Sequence, residues 1–212
     1  MDARPHRHCH LLARSVALSE LAGIGRTQRW AGSLGVTMPR MTTRRRTPIG
    51  ALSRGLVAGA FGTLAMDLVW FRRYRGGGGT SSFRDWELSS GLTWESAPAP
   101  AHVGRRLVRG MLQIEPGEGQ AALYNNAVHW ATGIAWAGLY GLVAGSLEGR
   151  GRTLLGLPFG AFVWGSSYAM LGPMGLYKPI WQYDLGTLGR DLSAHLAYGV
   201  GTALTYELLD LS

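Results

Sequence analysis

From Ala121 to Leu147 the chain runs for 27 residues without an Asp, Glu, Lys or Arg. A helix in water needs a polar face, and this stretch has none. It also carries Gly133, Gly138, Gly141 and Gly145. A glycine inside a water-exposed helix costs roughly 1 kcal/mol against alanine. In lipid the same small residues let helix backbones approach closely. The stretch therefore reads as a membrane span rather than as the core helix of a soluble bundle.

Three other stretches share this character. Between Gly55 and Phe71 the only charge is Asp67, and Arg54 just before it can snorkel toward the interface. Thr153 to Tyr177 gives 25 uncharged residues, and Leu192 to Tyr206 gives 15, bounded by Asp191 and Glu207. A helix crossing the hydrocarbon needs about 20 mostly apolar residues. The last stretch is short, so a half-buried or re-entrant helix is its alternative. Trp70, Tyr74, Tyr177 and Trp181 lie near segment ends, where an interfacial aromatic belt would place them. The fold expected is all-α: a polytopic, four-transmembrane-helix bundle over residues 48–212, with spans near 48–71, 121–147, 153–175 and 191–211.

The formal charge of +8 comes from 21 basic residues, all arginine except Lys178. Such a balance first suggests nucleic acid. The arginines, however, sit in the N-terminal tail and beside the ends of apolar runs, where they would hold spans against anionic headgroups. No helix-turn-helix, zinc-finger or RNA-binding pattern accompanies them. The partner expected is the lipid bilayer, with a second copy or partner membrane helices as further candidates, and no nucleic acid. Residues 1–47 read as a disordered Arg-rich tail. Its His6, His8, Cys9 and His10 match no structural zinc spacing, and Cys9 has no second cysteine for a disulfide. No apolar run of signal-peptide length occurs there. Met38 and Met41 precede Thr42-Thr43-Arg44-Arg45-Arg46, so residues 1–37 or 1–40 are also consistent with a start-site extension.

The connection 72–120 opens with Arg72-Arg73-Tyr74-Arg75 and then Gly76 to Gly79, which reads as a flexible hinge. Pro98 and Pro100 are expected to break any helix at that point. Ala101 to Gln113 has the pattern of a short amphipathic helix, lying on the membrane surface or packed on the spans. Trp86-Glu87 recurs eight residues later as Trp94-Glu95. These pairs are either interfacial tryptophan anchors in a loop or part of a lid.

The polar residues inside the spans carry most of the functional information. Residues four apart share a helix face. Gly55, Gly59, Thr63 and Asp67 form one row; His129, Gly133, Ala137, Gly141 and Gly145 form another, with Asn125 and Asn126 one turn earlier; Asp191, His195, Gly199, Ala203 and Glu207 form the third. Three times an ionisable residue continues a stripe of small residues, and such stripes mark helix contacts. The expected packing positions are Gly55, Gly59, Gly133, Gly141, Gly145 and Gly199. In an alternating topology the end of span one, the start of span two and the start of span four share one side. Asp67, Asn125, Asn126, His129, Asp191 and His195 are thus expected to converge in one leaflet, near Tyr168 and Pro173.

Such a cluster admits three uses. Intramembrane His and Asp groups form proton or ion relays. Two His and one Asp form an acceptable ligand set for a divalent ion, for which His129, His195 and Asp67 are the candidates, though no spacing motif supports them. The third use is structural: hydrogen bonds that fix helix register. No nucleophile elbow, P-loop, HExxH or paired-cysteine motif is present, and no cofactor or catalytic residue is assigned.

Asn126-Ala127-Val128-His129-Trp130, Gly138-Leu139-Tyr140-Gly141, Pro173-Met174-Gly175-Leu176, Trp181 and His195-Leu196-Ala197-Tyr198-Gly199 together resemble the YagU-type family of small bacterial inner-membrane proteins. The resemblance covers roughly residues 50–210. It implies a polytopic inner-membrane protein with no established reaction, an association with tolerance of acid, and recurring polar positions at His129 and His195. The expectation is an integral, multi-pass protein of a bacterial-type inner membrane. It would serve envelope, stress or pH homeostasis through its buried His/Asp cluster, without classical enzyme chemistry. A non-catalytic membrane scaffold or assembly factor is the alternative, and a metal-dependent membrane enzyme the second alternative.

Overall fold

A computed structural model of the protein describes residues 47–88, 91–147 and 151–211. The basic tail over residues 1–46, with the expectations attached to it, lies outside the described residues. The described chain is all-helical. Helix α1 is Pro48–Gly76, α2 Phe83–Glu87, α3 Ala99–Leu112, α4 Ala121–Gly145, α5 Gly151–Leu154, α6 Gly156–Leu171 and α7 Leu185–Leu211, with single 3-10 turns at Glu118–Gln120 and Ile180–Gln182. Helix α1 is central. It packs along α4 on one side and α7 on the other, α6 packs on α7, and α3 on α4.

The side chains inside and outside explain this arrangement. Most buried residues of the long helices are small or tyrosine: Ala51, Ala58, Ala137, Ala144, Ala194 and Ala203, with Tyr140, Tyr198 and Tyr206, joined by Met66 and Val163. Among the described residues no Leu, Ile or Phe is buried. Many leucines, valines and phenylalanines of the long helices point outward instead, such as Val57, Phe61, Leu139, Val143, Phe162 and Leu208. Small residues in the contacts let the rods close to backbone distance. A β-carbon on Gly59 would stand 2.8 Å from the Ile134 α-carbon, and one on Gly199 would stand 2.7 Å from the Gly160 backbone nitrogen. Each packing glycine read from the sequence sits in such a contact. Gly55 and Gly59 meet α4, Gly141 and Gly145 meet α1 at Ala51, Gly133 meets Thr63, and Gly199 meets α6. The sequence reading missed their counterparts Gly62, Gly156 and Gly160, although Arg54 and Arg152 stand in the same i+4 rows.

Two stretches are long and apolar enough to cross a membrane: Pro48–Gly76 and Arg152–Leu171, the latter joining α5 and α6. Helices α4 and α7 are comparably long but less apolar. Absence of charge is not the same as hydrocarbon character: α4 spends positions on Asn125, Asn126, His129, Thr132 and its glycines.

Several boundaries move. Helix α1 continues past Phe71 to Gly76, and the glycine run closes it. Gly77, Gly78 and Gly79 donate to the carbonyls of Arg73, Arg75 and Tyr74, and Gly78 takes φ 94°, a left-handed conformation that glycine adopts without strain. The expected hinge is a hydrogen-bonded cap. Pro98 and Pro100 open α3 rather than break it, because the first turn has no acceptors for the missing N–H groups. The third apolar stretch ends its helix at Leu171, before Pro173. The fourth helix starts at Leu185, with Asp184 accepting hydrogen bonds from the Thr187 amide and hydroxyl. It therefore has 27 residues, and Asp191 and His195 lie well inside it rather than at its start.

Candidate functional site

The end of α1, the start of α4, the end of α6 and the first half of α7 surround one cavity of about 600 Å³. All six polar residues that the helical rows single out, Asp67, Asn125, Asn126, His129, Asp191 and His195, line it.

On one wall, the last turn of contact between α1 and α4 carries a histidine–carboxylate hydrogen bond. His129 Nε2 stands 2.9 Å from Asp67 Oδ1. With the carboxylate as acceptor, the proton on this face of the ring is on Nε2. The Asp67 side chain is 7% exposed, and that of His129 29%. The glycine stripe sets this geometry. Thr63 hydrogen-bonds back to the Gly59 carbonyl, Gly133 accommodates the Thr63 side chain, and one turn further the row ends in Asp67 and His129.

Above this pair lies α2. Its Glu87 carboxylate accepts a 2.8 Å hydrogen bond from Trp130 Nε1. The Glu87 carbonyl accepts one of 2.8 Å from Asn126 Nδ2, and Asn125 Nδ2 donates to Asn126 Oδ1. Trp86 and Glu87 both line the cavity. Burial pushes the Glu87 carboxyl above its ordinary range, opposed by the Trp130 bond and reinforced by the negative charge of Asp67. An aromatic group of Phe71, Tyr74, Phe83 and Trp86 seats α2 on the end of α1. Sequence reasoning left Glu87 outside the cluster, because its distance in sequence from Asp67 and Trp130 is closed only by the turn after Gly79.

The second Trp-Glu pair behaves differently. Trp94 is 5% exposed. Its Nε1 donates to the Gly117 carbonyl, and its ring packs on Tyr124 and beneath Arg105. It anchors the connection to the protein rather than to an interface. Of the expected aromatic belt, Trp181 is 81% exposed, whereas Trp70 and Tyr177 line the cavity and Tyr74 packs on Trp86.

The opposite wall is α6 against α7. Asp191 Oδ2 accepts from Trp164 Nε1 at 3.1 Å and from the Tyr168 hydroxyl at 2.9 Å. His195 Nδ1 stands 3.0 Å from the Asp191 carbonyl and 3.4 Å from its Oδ1, so this histidine is held by its own helix. Tyr177, in the connection after α6, is held protonated: burial pushes its hydroxyl up to about 12, with the charge of Asp191 adding.

Among the described residues no group of three or more His, Cys, Asp or Glu is arranged to hold a metal ion. His129, His195 and Asp67 therefore do not form the ligand set considered from sequence. His129 and Asp67 are paired across α1 and α4, whereas His195 is turned toward its own Asp191.

The other end of the bundle is closed. Arg152 is 4% exposed. It donates to Asp210 and to the Leu147 carbonyl, while its own carbonyl accepts from the Tyr140 hydroxyl. Arg54 adds a second cation 3.8 Å from Asp210. The Tyr206 hydroxyl bonds the Gly141 carbonyl, and the Tyr198 hydroxyl bonds that of Gly133. The polar cavity thus belongs to one end, and packed tyrosines, alanines and glycines fill the bundle beyond it.

Compared with protein-family models, with curated proteins and with solved structures, the chain matches none.

Proposed function

We propose that this chain is an integral, multi-pass protein of a bacterial-type inner membrane, in which α1, α4, α5–α6 and α7 cross the bilayer as four spans. The distribution of side chains supports this reading. Most Leu, Val and Phe of the long helices face outward, and Ala, Gly, Thr and Tyr make up most of the interior, the reverse of a protein whose core is made by excluding hydrocarbon from water. A soluble monomer rarely leaves so extended an apolar surface uncovered. Topology labelling tests it. With Cys9 replaced by serine, single cysteines at Ser96 and Ser146 should react with an impermeant reagent from opposite sides of the membrane. Labelling of both from one side overturns the four-span reading.

Within that membrane protein, the cavity serves pH or envelope homeostasis. The observation that carries this is the lining of one cavity by two His–carboxylate pairs, Asp67–His129 and Asp191–His195. Histidine changes charge near physiological pH, and both rings sit beside a fixed acceptor. The YagU-type resemblance points the same way, since His129 and His195 are its recurring polar positions. Because the far end is packed, the cluster acts as a pH-responsive site at one face rather than as an open path. The test is acid survival and internal pH of cells carrying His129→Gln, His195→Gln or both, with protein level and melting temperature controlled. A folded double variant that retains full pH tolerance overturns the proposal. A scaffold for partner helices is less well supported, because the glycine stripes are consumed in contacts within the chain.

A further inference from the structure

The cavity is rich in carboxyls and has no fixed cationic side chain of the Arg or Lys type among the described residues. Asp67, Glu87 and Asp191 contribute three carboxyls, and among the described residues no Arg or Lys lines it. The donors facing these carboxyls are committed: His129 to Asp67 Oδ1, Trp130 to Glu87, Trp164 and Tyr168 to Asp191. Two acceptors remain. Asp67 Oδ2 and Asn125 Oδ1 are buried atoms without a hydrogen-bond donor, and Asp67 as a residue is 5% exposed. A buried carboxylate oxygen left in this state is costly. The Glu87 carboxyl lines the same cavity as Asp67, and the negative charge of Asp67 adds to the burial that raises it, so a cation there is favoured by both groups.

The remaining lining is apolar and aromatic. Trp70, Trp86 and Trp136 present rings, and Met66, Met170 and Met174 present thioethers. The volume of about 600 Å³ is that of a small-molecule site. Ring faces attract cations, and methionine adapts to varied apolar shapes.

We propose that this cavity binds an organic ammonium ion, a primary amine on an apolar or aromatic body. Its N–H groups would be directed to Asp67 Oδ2 and Asn125 Oδ1, and its body to Trp70, Trp136 and Met170. Three carboxyls disfavour an anion, and a neutral apolar molecule leaves Asp67 Oδ2 unanswered. The ammonium supplies a donor to these two atoms together with positive charge.

The competitor for the site is a proton. Asp67 is faced by Glu87 from α2 and His129 from α4; Asp191 and His195 from α7 and Tyr177 from the 172–184 connection line the same cavity. An ammonium bound beside Glu87 favours its ionised form, so binding releases a proton to the buffer over the pH range in which this raised carboxyl is protonated.

The proposal goes beyond the homeostasis reading and is separable from it, because binding is measured in detergent with no gradient present. Calorimetric titration of the purified full chain with 2-phenylethylammonium chloride, in two buffers of different ionisation enthalpy, reads affinity and proton release together. The expected result is saturable binding of one amine per chain, with proton release. 3-Phenylpropanol and 3-phenylpropionate should bind at least about tenfold more weakly, as should the amine to Asp67→Asn, since hydrogen bonds to charged groups are the strong ones. Absence of saturation, equal binding of the alcohol, displacement by sodium chloride at matched ionic strength, or full affinity in Asp67→Asn overturns it. If Asp67→Asn elutes aggregated, Asn125→Leu replaces it, with a loss of about threefold expected for one neutral acceptor. Undiminished affinity there overturns the proposal equally.

Discussion

His129 Nε2 lies 2.9 Å from Asp67 Oδ1 because the two helices that carry them touch at backbone distance at Gly59, two turns before Asp67 on α1. A Cβ on Gly59 would come within 2.6 Å of the Ala137 side chain, so the stripe leaves no slack between α1 and α4. The site is the polar end of a packing seam, and perturbing the seam perturbs the site.

The first prediction concerns that seam. In Gly55→Ala the new methyl meets the Ala137 carbonyl and the backbone of Gly138 and Gly141, none of which can rotate away. Overpacking of this kind costs about 1–3 kcal/mol. Gly165→Ala is the matched control, since nothing lies within 4 Å of its added carbon. It should be neutral or stabilise by up to about 1 kcal/mol through helix propensity. Thermal unfolding of both variants in the same detergent separates them; equal melting temperatures would refute the close contact.

The second concerns the docking of α2. Burial raises the Glu87 carboxyl above its ordinary range, so the docked state holds this proton more tightly than the undocked state. The favourable contribution is fully present below the unperturbed carboxyl pKa and is lost as pH rises through the raised value. Hydrogen exchange of residues 83–88 should therefore quicken over that interval as pH rises, after correction for intrinsic rates. In Glu87→Gln, which keeps an acceptor for Trp130, the pH dependence should vanish. Persistence of the same profile in the glutamine variant would assign it to another group.

A third prediction lies at the opposite end. Arg152 and Asp210 form a buried pair, with side chains 5% and 7% exposed. Removing one partner of such a pair costs about 3–5 kcal/mol. For Arg152→Leu the loss should fall at the lower end of about 3–5 kcal/mol, because Arg54 remains 3.8 Å from Asp210. The double variant Arg152→Leu/Asp210→Leu should recover part of it, since no buried charge is left. Chemical unfolding of the three proteins measures this, and additive losses would exclude the coupling.

The fourth concerns Trp94. Its burial against Ala101, Ala121 and Tyr124 and its bond to Gly117 hold the connection between α2 and α4. Trp94→Ala should cost about 3–5 kcal/mol, concentrated in this segment. Limited proteolysis should cut near residues 113–117 first, while α1 and α7 stay intact; uniform protection would show that the anchor is dispensable.

The glycine stripes and the polar residues that end them were legible because a helix repeats its face every turn. Spacing alone therefore placed Gly55, Gly59, Thr63 and Asp67 in one row and His129 and Gly133 in another. The same periodicity also offered Arg152, Gly156 and Gly160 as a row, which went unread because Arg152 falls in a short loop between apolar runs, and it is silent about Glu87, which reaches Trp130 through a turn. Helix ends were misplaced where capping decided them. Asp184 starts α7 before the apolar run begins, and Gly77–Gly79 close α1 after it ends.

By itself, the sequence determined that the chain forms long apolar helices with small-residue faces and a few ionisable groups on them, since both properties follow from local periodicity and composition. Only the tertiary structure decided the partners. Asp67 received His129, Asp191 received Trp164 and Tyr168, and Arg152 received Asp210. These choices depend on the rotation and depth of one helix against another, which side-chain packing sets over distances no local pattern encodes.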